Sequence, residues 1–319
     1  MTTGPGPRPV RTVFLGSGRF GVESLWRLDT SDEVDVVGVV TAPPRPSGRS
    51  GLLTRTPIHL AAEELAMSPI LTPERLRSTE SIAEVLALGP ELLILADYGQ
   101  IVPEALLGLP HGALNLHPSL LPRYRGATPI QAAILGADTE TGVTLMQMDA
   151  GLDTGPIVAQ TREPLTGTES APELEERLEM AADGLLHANL GPWLRGEVVA
   201  KPQSEVGVSV TRQLSREDGR LDPGRPASAL ERQIRAYDPW PGTFVETPMF
   251  GRLIVDDATT GPAESDDIPG HLVGDGDGLA ITTSDGRLRL GRVRVAGRKP
   301  MTAAELRRGA PGLVGSLVR

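Results

Sequence analysis

Over its first two hundred residues the chain alternates short apolar, β-branched runs with helical patterns, and this restricts its fold more than any other feature. The runs lie at Thr12–Leu15, Val34–Val40, Leu92–Leu95, Ala113–Leu116 and Val143–Met148. Helical spacing falls between several of them, at Pro57–Met67 and Thr128–Leu135. Strand and helix in turn predict a Rossmann-like parallel sheet flanked by helices, because parallel neighbours need a crossover and a helix makes it compactly. Glu173–Leu190 reads as a long amphipathic helix closing this domain. From Gly191 the periodicity is lost in a Pro- and Gly-containing linker. After a helical stretch at Ala227–Tyr237, short strands are expected at Thr243–Glu246, Leu253–Val255, Leu279–Thr282 and Leu288–Val295. Turn residues such as "GDGDG" separate them, which predicts a small OB-like β-barrel. The expected division is therefore an α/β domain over 1–190, a linker over 191–208 and a barrel over 209–319.

Composition removes several functions. The chain has no cysteine, which excludes disulfides, thiolate zinc sites and cysteine nucleophiles. Five scattered histidines (59, 111, 117, 187 and 271) without an H-x-x-x-H spacing argue against a metal site. No apolar run is long enough for a membrane span, and the lead-in MTTGPGPRPVR lacks the apolar centre of a signal peptide, so a cytoplasmic protein is expected. A net charge of −10 argues against wholesale nucleic-acid binding. Acid and base are nearly balanced after residue 209, however, where Arg287, Arg289, Arg292, Arg294, Arg298 and Lys299 follow one another with no acid between them. Such a run reads either as a solvated strand face or as a local contact for a polyanion.

"GSGRFG", Gly16 to Gly21, has the G-x-G-x-x-G spacing of dinucleotide-binding loops. That use needs an acid at the end of the second strand, to hold a ribose hydroxyl. Here the strand "VDVVGVV" ends in Thr41-Ala42-Pro43, and Asp35 stands at its beginning. No NAD is therefore expected, and the loop is expected to border a site at the carboxyl edge of the sheet.

The chemistry concentrates in "GALNLHPSLLPRYRGATP", Gly112 to Pro129. Residues two apart on a strand face the same way, so Asn115 and His117 project together just before Pro118 stops the strand. The next strand ends in "MDAGLDTGP", whose Gly-rich turn carries Asp153 and, from a neighbouring strand, reaches His117. Amide, imidazole and carboxylate in one pocket suit acyl transfer to an amine. The first two donate to a developing oxyanion, and the carboxylate takes the amine proton. No nucleophilic side chain is needed, because the amine itself attacks. Taken alone, such a His is also compatible with a plain hydrogen-bonded role, and Asp153 with making the turn.

"NLHPSLLPRYRGATPI" followed by "TGVTLMQMDAGLDTGPI" resembles the folate-dependent formyltransferases, and among them those that act on initiator methionyl-tRNA. "RPSGR", "DYGQIVP", "IRAYDPWPG" and "AGRKPM" extend the resemblance over most of the chain, second domain included. It implies formyl transfer from 10-formyltetrahydrofolate to the methionine amino group, with Asn115, His117 and Asp153 as catalytic residues. It also implies that Ser119, Leu120, Leu121 and Pro122 form the folate-contacting loop, that Arg49 in "APPRPSGRSGLLTRTP" meets the tRNA acceptor end, and that the barrel binds tRNA. Neither a metal nor a membrane is implied, and a monomer is expected. Two features depart from the family pattern. Gly16-Ser17-Gly18-Arg19-Phe20 stands where G-T-P-x-F is usual, and Ser50-Gly51-Leu52-Leu53 where lysines are frequent. A formyltransferase acting on a sugar-nucleotide amine, or a hydrolase of 10-formyltetrahydrofolate, would share the same three residues.

Overall fold

The computed structural model describes residues 8–47 and 51–319; the first seven residues and Gly48, Arg49 and Ser50 lie outside the described residues. The chain forms two compact units. One comprises the described residues up to Pro129 with Glu140–Pro164 and Glu175–Thr211, the other Ile130–Thr139, Leu165–Leu174 and Arg212–Arg319.

In the first unit β1 (Val10–Gly16) leads through a single 3-10 turn into α1 (Val22–Asp29) and β2 (Val34–Val40). A hairpin, β3 (Arg45–Ser47) with β4 (Leu52–Thr54), precedes α2 (Pro57–Glu64). That helix starts where it does because the Thr56 side chain accepts from the His59 N–H and Pro57 takes a first-turn position that needs no donor. There follow β5 (Ile70–Leu71), α3 (Thr79–Ala87), β6 (Leu92–Ala96), α4 (Glu104–Leu107), β7 (Ala113–His117) and β8 (Arg125–Gly126). Then come α5 (Pro129–Leu135), which belongs to the second unit from Ile130 on, β9 (Glu140–Gln147), β10 (Ile157–Pro164), α6 (Ala171–Leu194), which belongs to the first unit from Glu175 on, and β11 (Val210–Thr211).

Seven of the described strands form one sheet in the order β10-β9-β7-β6-β1-β2-β5. From β7 to β5 all neighbours are parallel, as the alternation predicts. At the other edge β9 and β10 run antiparallel, so the sheet is mixed. For β10 the reason is local: it is joined to β9 by the short "MDAGLDTGP" connection, which has no room for a crossover helix. Every residue of β6 is buried, as befits a central strand covered on both faces. The closing helix α6 begins two residues before the expected Glu173 and runs four past Leu190. No helix of the described residues is long and apolar enough to cross a membrane.

The second unit adds α7 (Ala227–Ala236), β12 (Thr243–Thr247), β13 (Gly251–Val255), β14 (Ala258–Pro262), β15 (Leu272–Asp275), β16 (Gly278–Thr282), β17 (Gly286–Leu290), β18 (Arg292–Val295), β19 (Met301–Thr302) and α8 (Ala303–Gly309). Two four-stranded antiparallel sheets, β12-β13-β18-β19 and β14-β17-β16-β15, enclose one core that includes Leu230, Val245, Leu253, Ile281, Leu288 and Val293, as expected of a small barrel. The single strand expected over Leu288–Val295 is in fact two, in different sheets. The break is Gly291, where a Cβ would lie 1.6 Å from an Asp257 carboxylate oxygen, so any larger residue would have to displace that side chain.

The arginine run is matched by acids from other strands and loops. Arg287 bonds Glu264 and Asp267, Arg289 meets Asp275, Arg292 meets Asp257 and Arg294 meets Asp256. The Arg287 side chain is only 7% exposed and ties down the "PAESDD" segment, which the sequence presents as a plain exposed loop.

Candidate active site

Asn115 and His117 lie at the carboxyl end of β7, on the same side of the strand by its two-residue alternation. Parallel β6 supports them on one side, with Leu95 beside Asn115, and antiparallel β9 on the other, with Thr144 beside His117. The His117 side chain is 6% exposed. Its Nε2–H donates to the Tyr124 carbonyl at 2.9 Å, which leaves Nδ1 turned to Asp153, 3.7 Å from Oδ2. That is longer than a hydrogen bond, so Nδ1 retains room for a ligand atom. Asn115 is half-buried, and its amide makes no hydrogen bond among the described residues.

Asp153 is brought there by a turn that the sequence builds for itself. The Asp149 carboxylate accepts from the Gly151 N–H at 3.0 Å and the Thr154 hydroxyl at 2.7 Å, closing the turn around Leu152 and Asp153. Asp153 adopts a φ of +50°, a left-handed conformation costly for a non-glycine residue. Its Oδ2 accepts from the Gly126 N–H at 2.7 Å. The three predicted catalytic residues therefore converge at one edge of the sheet.

The Ser119–Pro122 segment is shaped from behind. The Ser119 hydroxyl donates to the Arg123 carbonyl at 2.6 Å, and the wholly buried Thr144 hydroxyl donates to the Ser119 carbonyl at 2.7 Å. That hydroxyl in turn accepts from the Leu121 N–H at 3.1 Å and from the Gln160 amide at 2.8 Å. Gln160 also donates to the Leu121 carbonyl at 3.0 Å, and the Leu121–Pro122 peptide is cis. Ser119 and Leu121 are buried while Leu120 and Pro122 are half-buried. Arg49 lies outside the described residues. The hairpin on either side of it brings Pro46 opposite Leu53, and Leu52 and Leu53 are 71% and 69% exposed.

The glycine loop packs rather than cradles. A Cβ on Gly18 would lie 1.6 Å from an Asp97 carboxylate oxygen, so the loop lies closely against that side chain. Asp97 has a φ of +50°, and its carbonyl accepts from the Ser17 N–H at 2.9 Å. Solvent reaches it, yet it sits deep among protein atoms, and that desolvation pushes its carboxyl up from the ordinary range. Nearby Glu175 is also raised, by burial first and then by Asp97. Neither acid was singled out from the sequence, nor were Thr144 and Gln160. Asp97 alone left a signal there, as an acid at the carboxyl end of a central strand. No group of three or more His, Cys, Asp or Glu among the described residues is arranged to hold a metal ion.

Comparison with known proteins agrees with this geometry. Residues 10–190 match the model of the formyl transferase family, and residues 213–311 the model of the formyl transferase C-terminal domain. A protein of Roseiflexus sp. (strain RS-1) named methionyl-tRNA formyltransferase is 42% identical over 312 residues, covering 94% of this chain and 93% of its own. Two solved structures share the fold at low identity. The N-formyltransferase from Helicobacter canadensis, in complex with folinic acid and dTDP-3-aminofucose, gives a TM-score of 0.63 at 17% identity over 89% of this chain and 100% of its own. HypX from Aquifex aeolicus, in complex with tetrahydrofolic acid, gives 0.61 at 19% identity over 93% of this chain and 46% of its own, so the chain spans about half of HypX. The chain belongs to the formyl transferase family.

Proposed function

We propose that the chain transfers a formyl group from 10-formyltetrahydrofolate to the amino group of methionine on initiator tRNA, acting as a cytoplasmic monomer in translation initiation. One observation carries the choice of acceptor. Similarity to the Roseiflexus methionyl-tRNA formyltransferase runs through both domains at 42% identity, whereas the sugar-modifying neighbour shares the fold at 17%.

The donor set suits the reaction. Asn115 holds a free amide and His117 an Nδ1 with room to donate, and both fit the formyl oxygen as it gains negative charge. Each such donor contributes on the order of a hundredfold in rate. The amine nitrogen forms the new bond to the formyl carbon while the bond to the folate nitrogen breaks. Asp153 takes the proton that the amine loses, directly or through one water, and that proton passes to the folate nitrogen. Leu120 and Pro122 contact the folate, on a loop shaped by Ser119 and Leu121. Arg49 grips the tRNA acceptor end, and residues 209–319 bind the body of the tRNA beyond the linker at 191–208.

Incubation with 10-formyltetrahydrofolate and charged initiator tRNA, followed by mass analysis of the aminoacyl ester, tests the proposal. A gain of one formyl group on methionine is expected. Formylation of an amino-sugar nucleotide with none on the tRNA, or release of free formate, would transfer the assignment to another acceptor.

A further inference from the structure

Residues 201–208 lie in the stretch that the sequence presents as a linker, and all of them are exposed except Gln203. Its amide is used completely. Nε2 donates to the Asp153 carbonyl at 2.7 Å and to the Gly155 carbonyl at 2.8 Å. Oε1 accepts from Arg125 Nε at 3.1 Å and Nη2 at 2.7 Å. Arg125 is the neighbour of Gly126, whose N–H holds the Asp153 carboxylate. Gln203 thus staples the turn that carries Asp153 to the strip that fixes its carboxylate. Residues on either side extend the same seam: Lys201 exchanges backbone hydrogen bonds with Ile157, and Ser209 O accepts from the Arg125 N–H.

We propose that Gln203 is a positioning residue for formyl transfer, one that sets the Asp153 carboxylate against His117. The inference rests on the assignment of His117 and Asp153 as the catalytic pair. Asp153 needs such a clamp, because its left-handed backbone is intrinsically disfavoured and relaxes once its carbonyl is released. A carboxylate displaced by about 1 Å costs up to roughly a hundredfold in turnover.

The test is a double-mutant cycle on the full-length enzyme with Gln203→Met, Asp153→Asn and both together. Methionine keeps the length of the side chain and removes all four hydrogen bonds. Gln203→Glu, which keeps the acceptor for Arg125 and loses both donors, is the second variant should methionine impair folding. Either single Gln203 variant is expected to lower kcat about ten- to a hundredfold, with the dissociation constant for 10-formyltetrahydrofolate changed less than about twofold. In the Asp153→Asn background the same change is expected to cost nothing more, because the group being positioned is gone. Equal losses in both backgrounds, or wild-type kcat in a folded Gln203 variant while Asp153→Asn is inactive, overturn the inference alone. Full activity of Asp153→Asn overturns the catalytic assignment beneath it.

Discussion

Thr144→Val removes one oxygen from the most heavily used buried hydroxyl behind the candidate folate loop. Three hydrogen bonds end at that oxygen, at 2.7 Å to the Ser119 carbonyl, 3.1 Å from the Leu121 N–H and 2.8 Å from Gln160. Valine has nearly the same shape, so packing changes little and the loss is polar. Each bond contributes about 1 kcal/mol net, and each buried group left unpaired costs about 1–3 kcal/mol. Gln160 keeps its bond to the Leu121 carbonyl, which leaves the Ser119 carbonyl and the Leu121 N–H as the groups without a partner. The expected loss of stability is therefore about 3 kcal/mol. Urea unfolding in a Trp240→Phe background, where fluorescence reports Trp26 and Trp193 of the first unit, measures it as a lowered midpoint at unchanged slope. Affinity for 10-formyltetrahydrofolate is expected to fall in parallel, because the loop loses its backing. A loss below about 1 kcal/mol with unchanged folate affinity would refute the claim that this hydroxyl shapes the loop.

His117→Ala and Asp153→Ala are each expected to cut turnover by roughly a hundredfold or more with the fold intact by circular dichroism; near-normal turnover in a folded His117→Ala enzyme contradicts the mechanism. For Arg49, stacking or a bidentate contact predicts that Arg49→Lys raises the Michaelis constant for tRNA almost as much as Arg49→Ala and leaves that for folate alone, whereas a simple charge contact predicts that lysine substitutes. The pH dependence of stability should differ in sign between two acid sites. Burial alone would raise Glu169, but hydrogen bonds from the Thr166 backbone and hydroxyl and from the Gly167 N–H outweigh it and hold the carboxyl at about 2, so its contribution is present above about 4.5 and is lost as pH falls from there toward 2. Glu175 is raised by burial first and then by Asp97, so its folded form favours the proton and its ionisation costs stability as pH rises past the ordinary carboxylate range; Glu175→Gln should raise the urea midpoint at pH 7 and lose that gain near pH 4. A chain truncated after Val206 should bind folate less well than one truncated after Thr211, since the shorter one lacks β11 and Ser209; equal binding by the two contradicts a structural role for that strand.

The pairing of Asn115 with His117 was legible because it follows from a short-range rule. Alternation along β7 pairs Asn115 with His117, whereas β9 runs antiparallel with Gln147 opposite Leu114, so the turn after it starts at the far end of β7 and only its own path brings Asp153 back to His117. The alternation of strand and helix likewise anticipates the parallel part of the sheet, and the second domain's strands fall close to their expected places. What stayed hidden depends on partners distant in sequence. The acids that match the strand arginines come from between 14 and 38 residues away, so the run looks unpaired in one dimension. The corner at Gly291 is set by contact with Asp257, which strand periodicity does not register. Gln203 sits in a stretch without periodicity, and its role follows only from the two turns that it joins, 48 to 78 residues away.

Because β11 pairs with β8, the wall of the site is finished by residues that follow the long helix α6 by more than a dozen positions. This orders events on the ribosome. Synthesis delivers β1 to β10 first, and they can assemble the sheet as they emerge. The Arg125–Gly126 strip then waits for Ser209 to Thr211 to leave the exit tunnel before it has a strand to pair with. Closure of this side of the candidate site thus comes last in the first unit, reached only when the chain is already committed to making the second. A nascent chain that still lacks most of its second unit is also one whose candidate site is not yet closed.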